Sequence, residues 1–310
     1  MVASQNPVNR RSRTKLLGCA IAGLIAINAP VYLLAYHMTH VRLPGEKGIG
    51  VPKPQNSTTP EARGLSYTTH RIPINKTEWL EAWLIPTQQA TSKGTVLLFP
   101  GNHGTKGSQL IPPAQSFSAL GYDSLLIDFR GAGGSSGNTV TIGMKEAQDV
   151  SITFKYAQQM NSKSPIILYG VSMGSAAILR AIAKEKIKPD GVIVELPFSR
   201  LVNAIRSRLQ HHRIPGFPTA EWVVFWGGIQ HGVNGFAHNP VEYAKAVDCP
   251  VLVIHGEQDK WTTEAEIEAL FKNLQGSKTL VTSPEAGHHQ LIGVDRNLWD
   301  SSVKNFFDSL

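Results

Sequence analysis

Pro165-Ile166-Ile167-Leu168-Tyr169-Gly170-Val171-Ser172-Met173-Gly174 runs from an apolar, strand-like stretch into a G-x-S-x-G sequence, and residues 175–186 beyond it favour helix. Between a strand and a helix, G-x-S-x-G is the sequence of a nucleophile elbow. Such a turn holds its serine in a strained conformation and pushes the hydroxyl out over the end of a sheet. Glycines two residues to either side leave the turn room, because a Cβ there would crowd it. The same five letters also occur in ordinary Gly/Ser loops. Order along the chain separates the two readings, since an acid and a histidine follow at the ends of later strand-like runs.

Outward from the elbow the pattern repeats. Thr95–Phe99, Gly191–Glu195 and residues 124–129, 165–169, 250–255 and 278–282 are apolar runs of the kind found in strands buried on both faces. Residues 66–74 and 78–85 read as a hairpin turning at Asn75-Lys76. Helical stretches such as 143–160 and 264–274 lie between the later strands. The alternation predicts a parallel sheet with helices on both faces. Residues 198–247 interrupt it, with Trp222, Phe225 and Trp226 grouped together; they read as a pair of core helices, as a cap over the carboxyl ends of the strands, or as both.

The chain of 310 residues is 42% hydrophobic and 17% charged, enough for a substantial core. Four of its seven net positive charges come from Arg10, Arg11, Arg13 and Lys15. The remainder holds no basic run, so nucleic-acid binding is not expected. Residues 16–38 then carry no charge at all. As a helix they reach about 34 Å, against a hydrocarbon core of about 30 Å. Basic residues in front and fewer behind predict a single-pass signal anchor, its N-terminus cytoplasmic and its catalytic domain extracytoplasmic. A cleaved signal peptide, leaving a secreted or periplasmic protein, is the alternative; Leu34-Ala35-Tyr36 makes a poor cleavage site. A lipoprotein reading of Leu16-Leu17-Gly18-Cys19 fails because the apolar region follows the cysteine. Residues 1–42 are thus expected to be basic tail plus anchor, 43–62 a Pro/Gly-rich linker, and 63–310 the catalytic domain, with 198–247 a cap-like insertion. Cys19 and Cys249 do not suggest a disulfide. The two N-x-S/T sequences at Asn56 and Asn75 are best explained by chance.

With these residues in place the chain resembles the α/β-hydrolase fold serine hydrolases, over about residues 65–310. The resemblance implies an eight-stranded, mostly parallel sheet and a small helical insertion after the sixth strand. It implies the order nucleophile, acid, histidine, each at a strand tip. Ser172 follows the fifth strand. Asp259 closes His255-Gly256-Glu257-Gln258-Asp259 after the next-to-last strand, with Glu257 a neighbouring candidate. His288 lies in Ala286-Gly287-His288 after the last, beside His289. A serine hydroxyl is a weak nucleophile until a base takes its proton. An imidazole that titrates near neutrality can take it and return it to the leaving group, and a carboxylate orients that imidazole. For the oxyanion hole the resemblance implies the backbone N–H of Met173 and one from the loop after Phe99. Many relatives have His-Gly at the start of that loop; here it is Pro100-Gly101, which leaves Asn102 as the expected donor. His103 precedes the nucleophile and is expected to be structural or to face substrate.

The glycine-rich stretch Asp128-Phe129-Arg130-Gly131-Ala132-Gly133-Gly134 lacks the spacing of a nucleotide loop, so Asp128 and Arg130 are expected to brace loops beside the site. Neither H-E-x-x-H nor paired cysteines occur, and neither metal nor cofactor is expected. Trp261, two residues past the acid, is expected near the pocket. The reading is a carboxylesterase-like enzyme acting on a small-molecule acyl substrate through an acyl-enzyme. A prolyl-oligopeptidase-like peptidase or amidase, or a non-catalytic tethered binding module, are the alternatives. Oligomeric state is not legible.

Overall fold

The computed structural model describes residues 8–160 and 164–310. Eight strands, β1 (Thr68–Pro73), β2 (Trp79–Ile85), β3 (Thr95–Phe99), β4 (Asp123–Ile127), β5 (Ile166–Val171), β6 (Gly191–Glu195), β7 (Val251–Gly256) and β8 (Lys278–Ser283), form one sheet in the order β8-β7-β6-β5-β3-β4-β2-β1. Only β2 runs against the rest, pairing antiparallel with β1 and with β4. The order reverses between β3 and β5, so a crevice opens at the carboxyl ends of the central strands, where ligands bind in open α/β sheets. The expected fold is the observed one, with strand ends displaced by a residue or two.

Period-two alternation in the central strands supplies two cores. Leu97, Phe99, Leu168, Val192, Val194, Val251 and Val253 face α3 (Glu146–Met160), α4 (Met173–Arg180) and α7 (Glu264–Asn273). Val96, Leu98, Ile167, Tyr169, Ile193, Leu252 and Ile254 face α2 (Ile111–Leu120) and α8 (Arg296–Asp308). Each fully buried side chain of this size contributes about 1.5–3 kcal/mol. The sheet is therefore the rigid base on which the loops at its carboxyl edge are mounted.

A third, smaller core lies above that edge. After β6 come α5 (Leu201–His211) and α6 (Thr219–His231), the small helical insertion. They pack on each other through Ala204, Ile205, Val223 and Val224. The two readings of residues 198–247 thus coincide: the helices own a core and also roof the crevice.

The roof has a third helix. Residues 16–38, expected to span a membrane, lie within α1 (Val8–Thr39), yet no helix among the described residues is long and apolar enough to cross a membrane. The last turns of α1 are occupied by protein. Val31, Leu34, Ala35 and Met38, spaced to share one helix face, join the core of α5 and α6, and Ala35 is fully buried. Tyr32 meets Trp226 edge-on at 5.4 Å, and the Trp226 indole N–H donates to Asn28 Oδ1 across 198 residues of sequence. Gly228 of α6 faces the chain that follows the helix, where a Cβ would lie 2.6 Å from Val233 O. The anchor, and the topology deduced from it, are therefore not supported; its apolar residues serve an intramolecular contact. Residues 53–56 run on over the domain, the Lys53 ammonium donating to Ser135 O and the Asn56 amide to Asp128.

Removing residues 1–40 strips three large apolar side chains and a buried alanine from the roof. The loss is about 3–6 kcal/mol of local packing. We expect a melting temperature lowered by several degrees. A truncated protein that melts like the full chain would show that α1 contributes nothing.

Candidate active site

Ser172 stands between β5 and α4 at φ 51°, ψ −105°, a conformation that side chains rarely adopt. The flanking glycines make it feasible. A Cβ on Gly170 would lie 2.6 Å from the carbonyl carbon of Gly174, and one on Gly174 would lie 2.4 Å from Phe99 O. The turn is held from beneath by Glu195 at the end of β6. Its carbonyl accepts the Ser172 N–H at 2.8 Å and the Ser175 hydroxyl at 2.9 Å.

The three side chains expected to act together do meet. His288 Nε2 is 3.0 Å from Ser172 Oγ, and His288 Nδ1 is 2.7 Å from Asp259 Oδ2. The Asp259 side chain is 0% exposed and that of His288 14%. Asp259 Oδ1 accepts the N–H of Trp261 at 2.7 Å and of Thr262 at 3.3 Å. Burial alone raises the acid's pKa. The hydrogen bond and charge of His288, the Trp261 N–H and His255 outweigh it, and the net shift is downward. Asp259 is thus an acceptor only. His288 Nδ1 must carry the proton, and Nε2 is left as a base facing Ser172. Glu257 instead accepts the Thr282 hydroxyl, and His289 is exposed.

The Met173 N–H opens α4, and neither it nor the Asn102 N–H donates to any described acceptor. In the loop after β3, Gly101 donates to Gln109 Oε1 at 2.8 Å, and a Cβ on Gly101 would sit 3.5 Å from that of Ser172. Asn102 and Met173 are thus chain neighbours of Gly101 and Ser172, two residues that approach each other closely. His103, at φ 60°, lines the cavity; burial, then the charges of Arg208 and His37, lowers its pKa. Asp128 accepts from Asn56, from the N–H groups of Lys106 and Gly134, and from the Lys106 ammonium, so it ties the loops after β3 and β4 together. Arg130 pairs with Asp149 at 2.8 Å.

Above Ser172 lies a cavity of about 850 Å³, within the range of small-molecule sites. Its apolar wall comes from α1, α5 and α6, including Leu34, Met38, Ile205, Leu209, Val223 and Val224. Trp261 lines it and packs on His288, ring centroids 4.4 Å apart. Among the described residues no group of three or more His, Cys, Asp or Glu is placed to hold a metal ion.

Sequence reasoning missed Glu195. Its carboxylate accepts the Leu291 N–H at 2.5 Å, the Tyr169 hydroxyl at 2.5 Å and the Trp299 indole N–H at 3.3 Å, and Gln290 donates to the Tyr169 hydroxyl at 2.9 Å. Burial, partly offset by these donors, raises its pKa. A signal was present: a lone acid ends the apolar run Gly191-Val192-Ile193-Val194-Glu195.

The comparisons agree with this architecture. The family described as serine aminopeptidase, S33 (Hydrolase_4) matches residues 90–221, which include the elbow but neither Asp259 nor His288. Esterase Pf2001 of Pyrococcus furiosus superposes with TM-score 0.69 at 22% identity, over 86% of this chain and 99% of that one, and shows the α/β-hydrolase fold. In sequence the chain is 26% identical to the uncharacterized protein YqkD of Bacillus subtilis, over 63% of this chain and 65% of that one. It is 28% identical to the lysophosphatidylserine lipase ABHD12 of Macaca fascicularis, over 55% and 42%. The matches thus span between two fifths and two thirds of these relatives' lengths.

Replacing Glu195 by Ala leaves three buried donors without an acceptor. At about 1–3 kcal/mol each, stability should fall by about 3–9 kcal/mol in urea unfolding. Glu195→Gln, which keeps one carbonyl acceptor, should recover part of it. An unchanged unfolding midpoint in Glu195→Ala would remove this residue from its supporting role.

Proposed function

We propose that the protein is a serine hydrolase of carboxylesterase type, cleaving a small-molecule ester with a sizeable apolar acyl group through an acyl-enzyme. The observation that carries it is the continuous relay from Ser172 Oγ through His288 to buried Asp259, at 3.0 and 2.7 Å, opening into an apolar cavity. Ser172 attacks the acyl carbonyl as His288 Nε2 takes its proton. The carbonyl oxygen becomes an oxyanion stabilised by the N–H groups of Asn102 and Met173, which have no competing acceptor among the described residues. His288 then protonates the departing alcohol. A water activated by the same imidazole releases the acid and restores the serine. Asp259 stays ionised throughout, because its lowered pKa makes proton transfer from His288 unfavourable.

The esterase and lipase names of the similar proteins support the reading. An aminopeptidase has to neutralise its substrate's α-ammonium, and none of the described residues lining the cavity is Asp or Glu. That favours an ester over an N-terminal peptide. A binding module that merely keeps the fold has no use for an ordered relay.

Ser172→Ala should abolish labelling by a fluorophosphonate and lower ester turnover by several orders of magnitude, with the fold intact by circular dichroism. His288→Ala should be nearly as damaging and His289→Ala mild. Asp259→Asn should cost on the order of 10⁴ in rate through the wrong tautomer. Persistent labelling and turnover in Ser172→Ala would refute the proposal.

A further inference from the structure

The cavity lining contains one permanently charged side chain, Arg208 of α5, and no Asp or Glu among its described residues. Arg208 is largely withdrawn from solvent. Its guanidinium lies over the Trp261 ring, 4.4 Å from the centroid, and its one hydrogen bond among the described residues, at 3.1 Å, is to Ala204 O within its own helix. No carboxylate pairs with it within 4.0 Å. Asp259, whose charge acts on it from further off, is already committed to His288 and to two backbone N–H groups. With one N–H on Ala204 O, the other four guanidinium donors have no hydrogen-bond partner among the described residues, and such a group at a cavity wall forms an incomplete recognition site. A buried charge without a partner is costly, and a ligand anion removes that cost.

The position of the charge says which half of the substrate bears the anion. His288 must reach the leaving oxygen, so the alcohol departs on its side. Trp261 packs on His288, and Arg208 packs on Trp261, which places the guanidinium on that same side. The acyl chain has the apolar wall of α1, α5 and α6. Two of the histidines that line the cavity, His231 and His103, are held toward the neutral form: burial first, then His40 and Lys145, lowers the pKa of His231 to about 4, and burial lowers that of His103.

We propose that Arg208 is a specificity-determining residue that binds a phosphate or carboxylate on the alcohol half of the substrate, so that the enzyme prefers esters of anionic alcohols. The proposal rests on the acyl-transfer reading above and is tested by both turnover and binding. For turnover, 4-(octanoyloxy)benzoate is compared with its neutral methyl ester, using the full chain and its Arg208→Gln and Arg208→Lys variants. A charge-assisted contact predicts a fall of about 10- to 100-fold in the anionic-to-neutral ratio of kcat/KM in Arg208→Gln, mostly through KM, with partial retention in Arg208→Lys. Equal losses for both esters would mean that Arg208 merely supports Trp261, and would overturn the proposal.

For binding, octyl phosphate and octanoate are titrated by calorimetry against neutral octyl glucoside. One of the two anions should bind more tightly than the glucoside, and Arg208→Gln should remove that advantage; which anion gains names the group. No advantage for either overturns the proposal. If neither ester turns over and a fluorophosphonate leaves Ser172 unmodified, the hydrolase reading fails, and the binding arm alone decides the role of Arg208.

Discussion

A carboxylate sealed inside an apolar core needs a full set of donors, and Glu195 obtains its set from three separate places. The Leu291 N–H lies just beyond the histidine loop, the Tyr169 hydroxyl is on the strand leading to the elbow, and the Trp299 indole is on the last helix. Its own backbone carbonyl meanwhile holds Ser172 and Ser175. One residue at the end of a central strand therefore fixes the height of the nucleophile and the path of the loop that returns His288 to it. The 3.0 Å approach between Ser172 and His288 depends on this agreement. Asp259 is secured separately by the backbone of its own turn, so the acid orients the base without sharing its support.

Strain and support are complementary at the elbow. Ser172 holds a positive φ only because β3, β5 and α4 come close enough to exclude any Cβ at Gly170 and Gly174. Such strain persists where the surroundings over-determine it, and here two packed cores, one on each face of the sheet, do so. The consequence is a hydroxyl fixed at the base of the cavity.

The fold was legible because its signals are local. Unbroken apolar runs mark buried strands, and Ser172, Asp259 and His288 each sit in a short motif at a strand tip, so their chain order alone suggested their meeting. Glu195, Arg208 and the wall from α1 were not legible in the same way. Each acquires meaning from a neighbour distant in sequence: Leu291 and Trp299 for Glu195, Trp261 for Arg208, Trp226 for Asn28. The membrane expectation for residues 16–38, which the structure leaves unsupported, meets a related limit. An alanine-rich apolar run has one hydropathy whether it faces lipid or lies along another helix, and only the stripe Val31, Leu34, Ala35, Met38 tells which face is taken. That stripe joins the core shared with Val223, Val224 and Trp226 of α6, a partner that hydropathy does not see.

The mounting of α1 also sets how the cavity breathes. Its wall is a single helix face resting on two others, whereas the nucleophile rests on a sheet packed on both sides. Local opening free energies follow the apolar area that each unit buries. The wall therefore detaches at a far smaller cost than the sheet, and Ser172, His288 and Asp259 remain assembled while it does. Opening of the cavity is thereby separated from the stability of the three side chains at its base, and exchange with solvent proceeds at the roof without disturbing the floor.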